Sequence, residues 1–174
     1  MTDGPQIGHL RAAARRKTVA VGLLIATGVV LVDQLTKKWA VNTLGDGRRI
    51  HVGWTLQFNL TYNSGMAFSK GSGLGPYIGV LAAIVVVGLL ISLWRVRNTA
   101  TLVATGLIIG GAVGNIIDRL TRGEGWLRGS VIDFIDFQWW PVFNVADMCV
   151  VIGAAVLFVG ASRTKRGAEA SVKP

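Results

Sequence analysis

Residues 131–158 read VIDFIDFQWWPVFNVADMCVVIGAAVLF, with three carboxylates, Asp133, Asp136 and Asp147, before or at the start of an apolar run that carries no further charge. Placing an aspartate within such a run costs roughly 2.5–3.5 kcal/mol on insertion scales. An acid kept there faces a partner or a water-filled cavity, so its default role is functional. Two aspartates meeting at a membrane edge would be a hydrolytic pair. The run also decides the fold class. Val142 to Ala161 is long enough to cross a bilayer core of about 30 Å, and Arg163, Lys165 and Arg166 close it.

Three more such runs precede it. Thr18 to Val32 carries no charge and its helix runs on to Ala40, while Leu74–Trp94 and Thr99–Ile117 are charge-free throughout. A cleavable signal peptide competes for the first of them. No small-x-small site follows Val32, and three apolar segments come after it, which favours an uncleaved span. The chain is therefore expected to be an all-α polytopic membrane protein of four transmembrane helices, about 18–40, 74–94, 99–117 and 142–161. They form one domain over 18–162, between basic tails at 1–17 (expected to be disordered) and 163–174. Of the two outer excursions, 41–73 carries the β-prone stretch Ile50–Leu60, which predicts a small extracytoplasmic sheet or hairpin. The other, 120–140, is expected to be a short loop or helix that, like the first, rests on the membrane and covers the substrate.

Composition agrees. Hydrophobic residues make up 51% of the 174 and mean hydropathy is +0.51, too apolar for an ordinary soluble domain of this size. The net charge of +9 sits mostly beside the spans rather than interleaved with aromatics on one face, which argues for membrane lipid and against a nucleic-acid partner. The single cysteine, Cys149, allows no intramolecular disulfide and reads as a small buried apolar residue. His9 and His51 lack partners at ligand spacing and HExxH is absent, so no metal or other cofactor is expected. Ten of the 18 Lys/Arg fall in the two tails and at 95–97, right at span ends, while outer Lys37 and Arg119 belong to polar clusters with aspartates, so both termini are expected in the cytoplasm. The six tryptophans lie near span ends or in the outer excursions, where interfacial aromatics belong.

That topology gathers Asp33, Gln34, Lys37, Asn63, Gly65, Asn115, Asp118, Arg119, Asp133, Asn144 and Asp147 on the outer side. One interfacial site is the economical interpretation, because a transport pathway would spread polar groups through the membrane. Asp133 and Asp147 are the proposed pair, with Asp136 as a rival that the residues alone do not exclude. Two close carboxylates push one pKa up, so one can act as base on water while the other donates a proton. Counting from Pro141, Asp147 lies six residues into its span, roughly 9 Å of helix. Its alternative role is to pair with Arg119 or Lys37 and hold helices together. Asp33 and Lys37, four apart, suggest a structural clasp, worth only ~0.3–0.5 kcal/mol if exposed. Gly106, Gly110 and Gly114 invite close helix packing. Asn115 and Arg119 share a helix face, and Arg119 suits charge balance or a substrate carbonyl. A proton-coupled transporter, a structural factor and a serine–lysine peptidase using Ser64, Ser69 or Ser130 with Lys37 or Lys70 are the competing functions.

Five blocks taken in order carry a resemblance: DQLTK at 33–37, NSGMAF at 63–68, GGAVGNIIDR at 110–119, VIDF at 131–134 and FNVAD at 143–147. With four spans, the chain resembles the lipoprotein signal peptidases (signal peptidase II), a bacterial family of membrane aspartic endopeptidases. The resemblance implies a catalytic dyad of Asp133 and Asp147, choosing Asp133 over Asp136, which becomes a surface residue. It implies a substrate site lined by Asn63, Gly65, Gly111, Asn115, Arg119 and Asn144. Asp33, Lys37, Asp118 and Ala146 match supporting positions. Met66 departs from the small residue expected there, which touches only local packing. The implied substrate is a prolipoprotein cut just before a diacylglyceryl-modified cysteine, at the outer leaflet of the cytoplasmic (inner) membrane, by an enzyme acting as a monomer without cofactor.

Overall fold

A computed structural model describes residues 4–65 and 74–171. The segment 66–73, with the Met66 departure, Ser69 and Lys70, lies outside the described residues, as do the outermost residues of both tails. Four helices are long and apolar enough to span: α1 (Gly4–Leu44), α2 (Gly75–Leu93), α3 (Thr99–Thr121) and α4 (Val145–Ser171). Between them lie β1 (Ile50–Gly53), β2 (Leu56–Asn63) and β3 (Val131–Asp136).

α3 is the hub of the bundle and packs against each of the other three helices. Small residues make this possible, since a Cβ on Gly106 would lie 2.9 Å from Ile25 and one on Gly110 would lie 2.6 Å from the Ala26 carbonyl oxygen. Gly111 does the same toward α4, meeting the Ala146 carbonyl and Val150. The glycine spacing thus lets α1 and α4 approach α3 on adjoining faces. Leu24, Ile84, Val151 and Phe158 remain exposed on the outside of α1, α2 and α4. In a spanning protein, such a surface faces lipid.

The observed boundaries depart from expectation in instructive ways. Residues 4–17 are helical rather than disordered and simply continue α1. After Pro5 and Gly8 this stretch holds no breaker, and Ala and Arg are strong helix formers. The first span ends at Leu44 and the third at Thr121. α4 starts at Val145, not Val142, because Phe143 is still paired with Ile135, its N–H donating to the Ile135 carbonyl at 3.0 Å. Asp147 is therefore the third residue of its helix, not one buried 9 Å down it.

The sheet has the order β1-β2-β3, with both pairings antiparallel. Its third strand comes from the second excursion, expected to be loop or helix. Residues 122–130 do form turns, but VIDFID is a strand that aligns Val131 with Asn63 and Asp133 with Thr61. The sheet stands on the end of α1. Ala40, Leu44, Ile132 and Phe134 form one buried cluster, and Trp39 packs edge-on against Phe58 and Phe134 at 5.2 and 6.0 Å between ring centroids.

Candidate active site

Strand periodicity places Asp133 and Asp136 on opposite faces of β3. Asp136 was expected at the surface, but it is only 7% exposed and saturated with donors. Gln57 Nε2 donates to its Oδ2 at 2.7 Å, Asn59 Nδ2 to the same atom at 3.2 Å, and Gln138 N–H to Oδ1 at 2.6 Å. Burial alone would push this carboxyl up, but these hydrogen bonds outweigh it and hold the pKa below the usual value. Asp136 is an ionised anchor for the sheet.

Asp133, 2% exposed, has a different environment. Asn144 Nδ2 donates to its Oδ1 at 2.7 Å, and Asn63 Nδ2, from the paired strand β2, donates to Oδ2 at 3.0 Å. Burial first, and the charge of Asp147 second, lift its pKa to about 7, against those two amides and Lys37. Asp147 is held from both sides. Asn115 Nδ2 donates to Oδ1 at 2.8 Å, and the backbone N–H of Asn144 donates to Oδ2 at 3.2 Å. The Asn144 Oδ1 in return accepts from the Asp147 N–H at 2.9 Å, a reciprocal cap that starts α4 and fixes the Asp147 side chain. Asn144 thus touches both aspartates, and its Nδ2 also reaches Asn115 Oδ1 at 3.2 Å. Neutral amides hold the pair. Among the described residues, neither Asp133 nor Asp147 forms an ion pair.

Behind the pair lies a fully buried charge network. Lys37 Nζ contacts Asp33 Oδ2 and Asp118 Oδ2 at 2.8 Å each and donates to Asn115 Oδ1 at 2.9 Å. The clasp between Asp33 and Lys37 is real, but it is not the exposed pair whose weak energy was first assigned. Each carboxylate also holds backbone that carries the dyad. Asp33 Oδ1 accepts from the Ala146 N–H at 3.0 Å, next to Asp147, and Asp118 Oδ2 accepts from the Ile132 N–H at 3.2 Å, next to Asp133. Supporting residues at the ends of α1 and α3 therefore set the position of β3 and α4. Sequence reasoning placed Gln34 in the polar set without a partner and gave Arg122 no part in it. Arg122 Nε donates to Asp118 Oδ1 at 2.8 Å, a contact its i,i+4 spacing could have suggested. Gln34 Nε2 reaches the Gly114 carbonyl at 3.1 Å and both carboxylates.

Arg119, 5% exposed, donates from Nη2 to the Gly65 carbonyl at 3.3 Å, while its Nη1 is buried without a partner among the described residues. Gly65 N–H in turn donates to Asn63 Oδ1 at 3.1 Å, so the chain just after β2 is tied to α3 here. Gly111 and Ala146 stand at the α3–α4 contact, beneath Asn115 and Asp147. The structure thus gathers the expected site residues at one end of the bundle. Lys37 is committed to two carboxylates and an amide, which leaves it no role as base for a serine. Ser69 and Lys70 lie outside the described residues.

A family model described as signal peptidase (SPase) II matches residues 25–163. The chain is 38% identical over 156 residues to a lipoprotein signal peptidase of Mycobacterium leprae, covering 89% of this chain and 78% of that one. It is 43% identical over 138 residues to one of Mycobacterium avium, covering 79% and 76%. A bacterial membrane enzyme solved by the in meso method at 2.3 Å resolution superposes with a TM-score of 0.72 at 29% identity, over 84% of this chain and 90% of that one. The matched region takes in part or all of each helix, the sheet and every polar residue of the site, and the chain belongs to the signal peptidase (SPase) II family.

Proposed function

We propose that this bacterial multi-pass membrane protease is an aspartic endopeptidase that cuts prolipoproteins just before the diacylglyceryl-modified cysteine, using water activated by Asp133 and Asp147. The observation that carries this is the contrast among the acids of the site. Asp33 and Asp118 are neutralised by Lys37, and Asp136 is saturated with donors, whereas Asp133 and Asp147 are bridged by Asn144 and hydrogen-bonded by neutral amides alone. Such a pair holds one proton between its two members.

The ionised member takes a proton from water as its oxygen attacks the scissile carbonyl carbon. The protonated member polarises that carbonyl and then gives its proton to the leaving nitrogen as the C–N bond breaks. The products are a signal peptide with a new carboxyl terminus and a lipidated cysteine with a free amine. Arg119 Nη1 offers a donor to a substrate carbonyl, with Asn63, Gly65, Gly111, Asn115 and Asn144 as the rest of the wall. Asp33, Lys37, Asp118 and Ala146 hold the wall in place. With both termini in the cytoplasm, this end of the bundle lies at the outer leaflet, where a monomer meets the lipid-anchored cysteine.

Purified chain in proteoliposomes should release a signal peptide from diacylglyceryl-modified prolipoprotein and leave the unmodified precursor intact. Equal cleavage of both, read by mass spectrometry, would contradict the substrate assignment. The pH dependence follows from Asp133. Its pKa is raised to about 7, so the acid form is lost as pH rises through that value. kcat/KM should then fall about tenfold per pH unit on the alkaline side. A flat profile between pH 7 and 9 would remove the protonated carboxyl from the mechanism.

A further inference from the structure

At the end of the bundle opposite the dyad, we infer a binding site for the phosphate headgroup of an anionic phospholipid. A cleft of about 440 Å³ is lined by Ala14, Arg15 and Thr18 of α1 and by Val96 and Arg97 of the loop after α2. An adjoining cleft of about 300 Å³ shares Arg15, Val96 and Arg97 and adds Trp94 and Arg95. Two elements far apart in the chain thus bring three guanidinium groups to one concave surface.

Among the described residues, Arg15, Arg95 and Arg97 form no ion pair. The chain has no Asp or Glu from Gly4 to Val32, from Leu74 to Ile117, or from Met148 to Ala168. Orienting a membrane protein requires positive charge near span ends but does not require that it converge on a cavity. Guanidinium groups pair bidentately with phosphate oxygens, and the volume falls in the range of small-ligand sites. The depth identifies the source of the phosphate. The charge-free part of α1 begins at Thr18 and α2 ends at Leu93, so the cleft lies at headgroup level beside Trp94, 51% exposed. Ile91, exposed on the last turn of α2, gives an acyl chain an apolar surface next to the cleft. The site is separate from the dyad and does not depend on the proposed chemistry.

The test uses the full chain in neutral detergent, titrated with phosphatidylglycerol or phosphatidylcholine and read by native mass spectrometry. Phosphatidylglycerol should bind in preference. Arg15→Gln, Arg95→Gln and Arg97→Gln together should weaken it by about a hundredfold, at on the order of fivefold per arginine. Lys38→Gln, Arg49→Gln and Arg128→Gln together remove the same charge from the other end and should leave the affinity unchanged. If the inner triple variant does not fold, Arg15→Gln and Arg97→Gln singly, each about fivefold weaker, decide the matter. Unchanged affinity in the inner variants, or equal loss in the outer control, would overturn the site. Displacement of phosphatidylglycerol by millimolar inorganic phosphate would assign it to a soluble anion and overturn the lipid.

Discussion

Replacing either Asp133 or Asp147 with Asn is expected to lower kcat for prolipoprotein cleavage by about a thousandfold or more, while the chain stays folded. The loss exceeds that of one ordinary hydrogen bond because an amide can neither take a proton from water nor return one to the leaving nitrogen. General acid–base catalysis contributes about 10²–10⁴-fold, and members of a catalytic unit each cost nearly the whole. Folding should survive for a physical reason. Asn is close in shape, and it replaces a carboxyl held only by neutral amides. One oxygen remains to accept from Asn144 or Asn115, and the new NH2 group must displace one other donor, a cost of about 1–3 kcal/mol. Thermal unfolding in detergent, measured beside single-turnover cleavage, separates the two effects.

The second large effect is on stability. Lys37→Met keeps the apolar length of the side chain but leaves Asp33 and Asp118 buried with no lysine between them. Breaking a buried ion pair by removing one partner costs about 3–5 kcal/mol, most of it from the uncompensated charge left behind. Arg122 still touches Asp118, so the deficit falls mainly on Asp33. Because Asp33 holds the Ala146 N–H and Asp118 the Ile132 N–H, the dyad should lose its register together with stability. Adding Asp33→Asn should restore part of the unfolding temperature. An unchanged melting curve for Lys37→Met would show that the network is not what holds β3 and α4 against the bundle.

The parts of the fold that depend on local sequence were legible, and those that depend on distant pairing were not. Long charge-free runs identify four spans because bilayer thickness sets the length a helix needs. β3 was missed because its partner, β2, lies some seventy residues away, with Val131 opposite Asn63. The same pairing explains two displaced residues. Asp136 was taken for a surface residue because nothing local shows that Gln57 and Asn59 come to meet it. Asp147 was placed six residues into its span because Pro141 looked like its start, whereas the return of Phe143 to Ile135 delays α4 to Val145. The polar site itself was readable as a set, since chain topology alone puts its members at one end of the bundle. Its internal wiring was not. Only the folded chain shows Asn144 touching both aspartates and Lys37 serving two others.

The central claim is that Asp133 and Asp147 act as one unit on one water, and a double-mutant cycle on single-turnover cleavage of a lipidated prolipoprotein tests it most directly. If they share the chemistry, Asp133→Asn, Asp147→Asn and the double variant should all be slowed to about the same residual rate, as expected for members of one catalytic unit. If the double variant is slower than either single by the product of their separate losses, the two carboxylates work independently and the dyad is wrong.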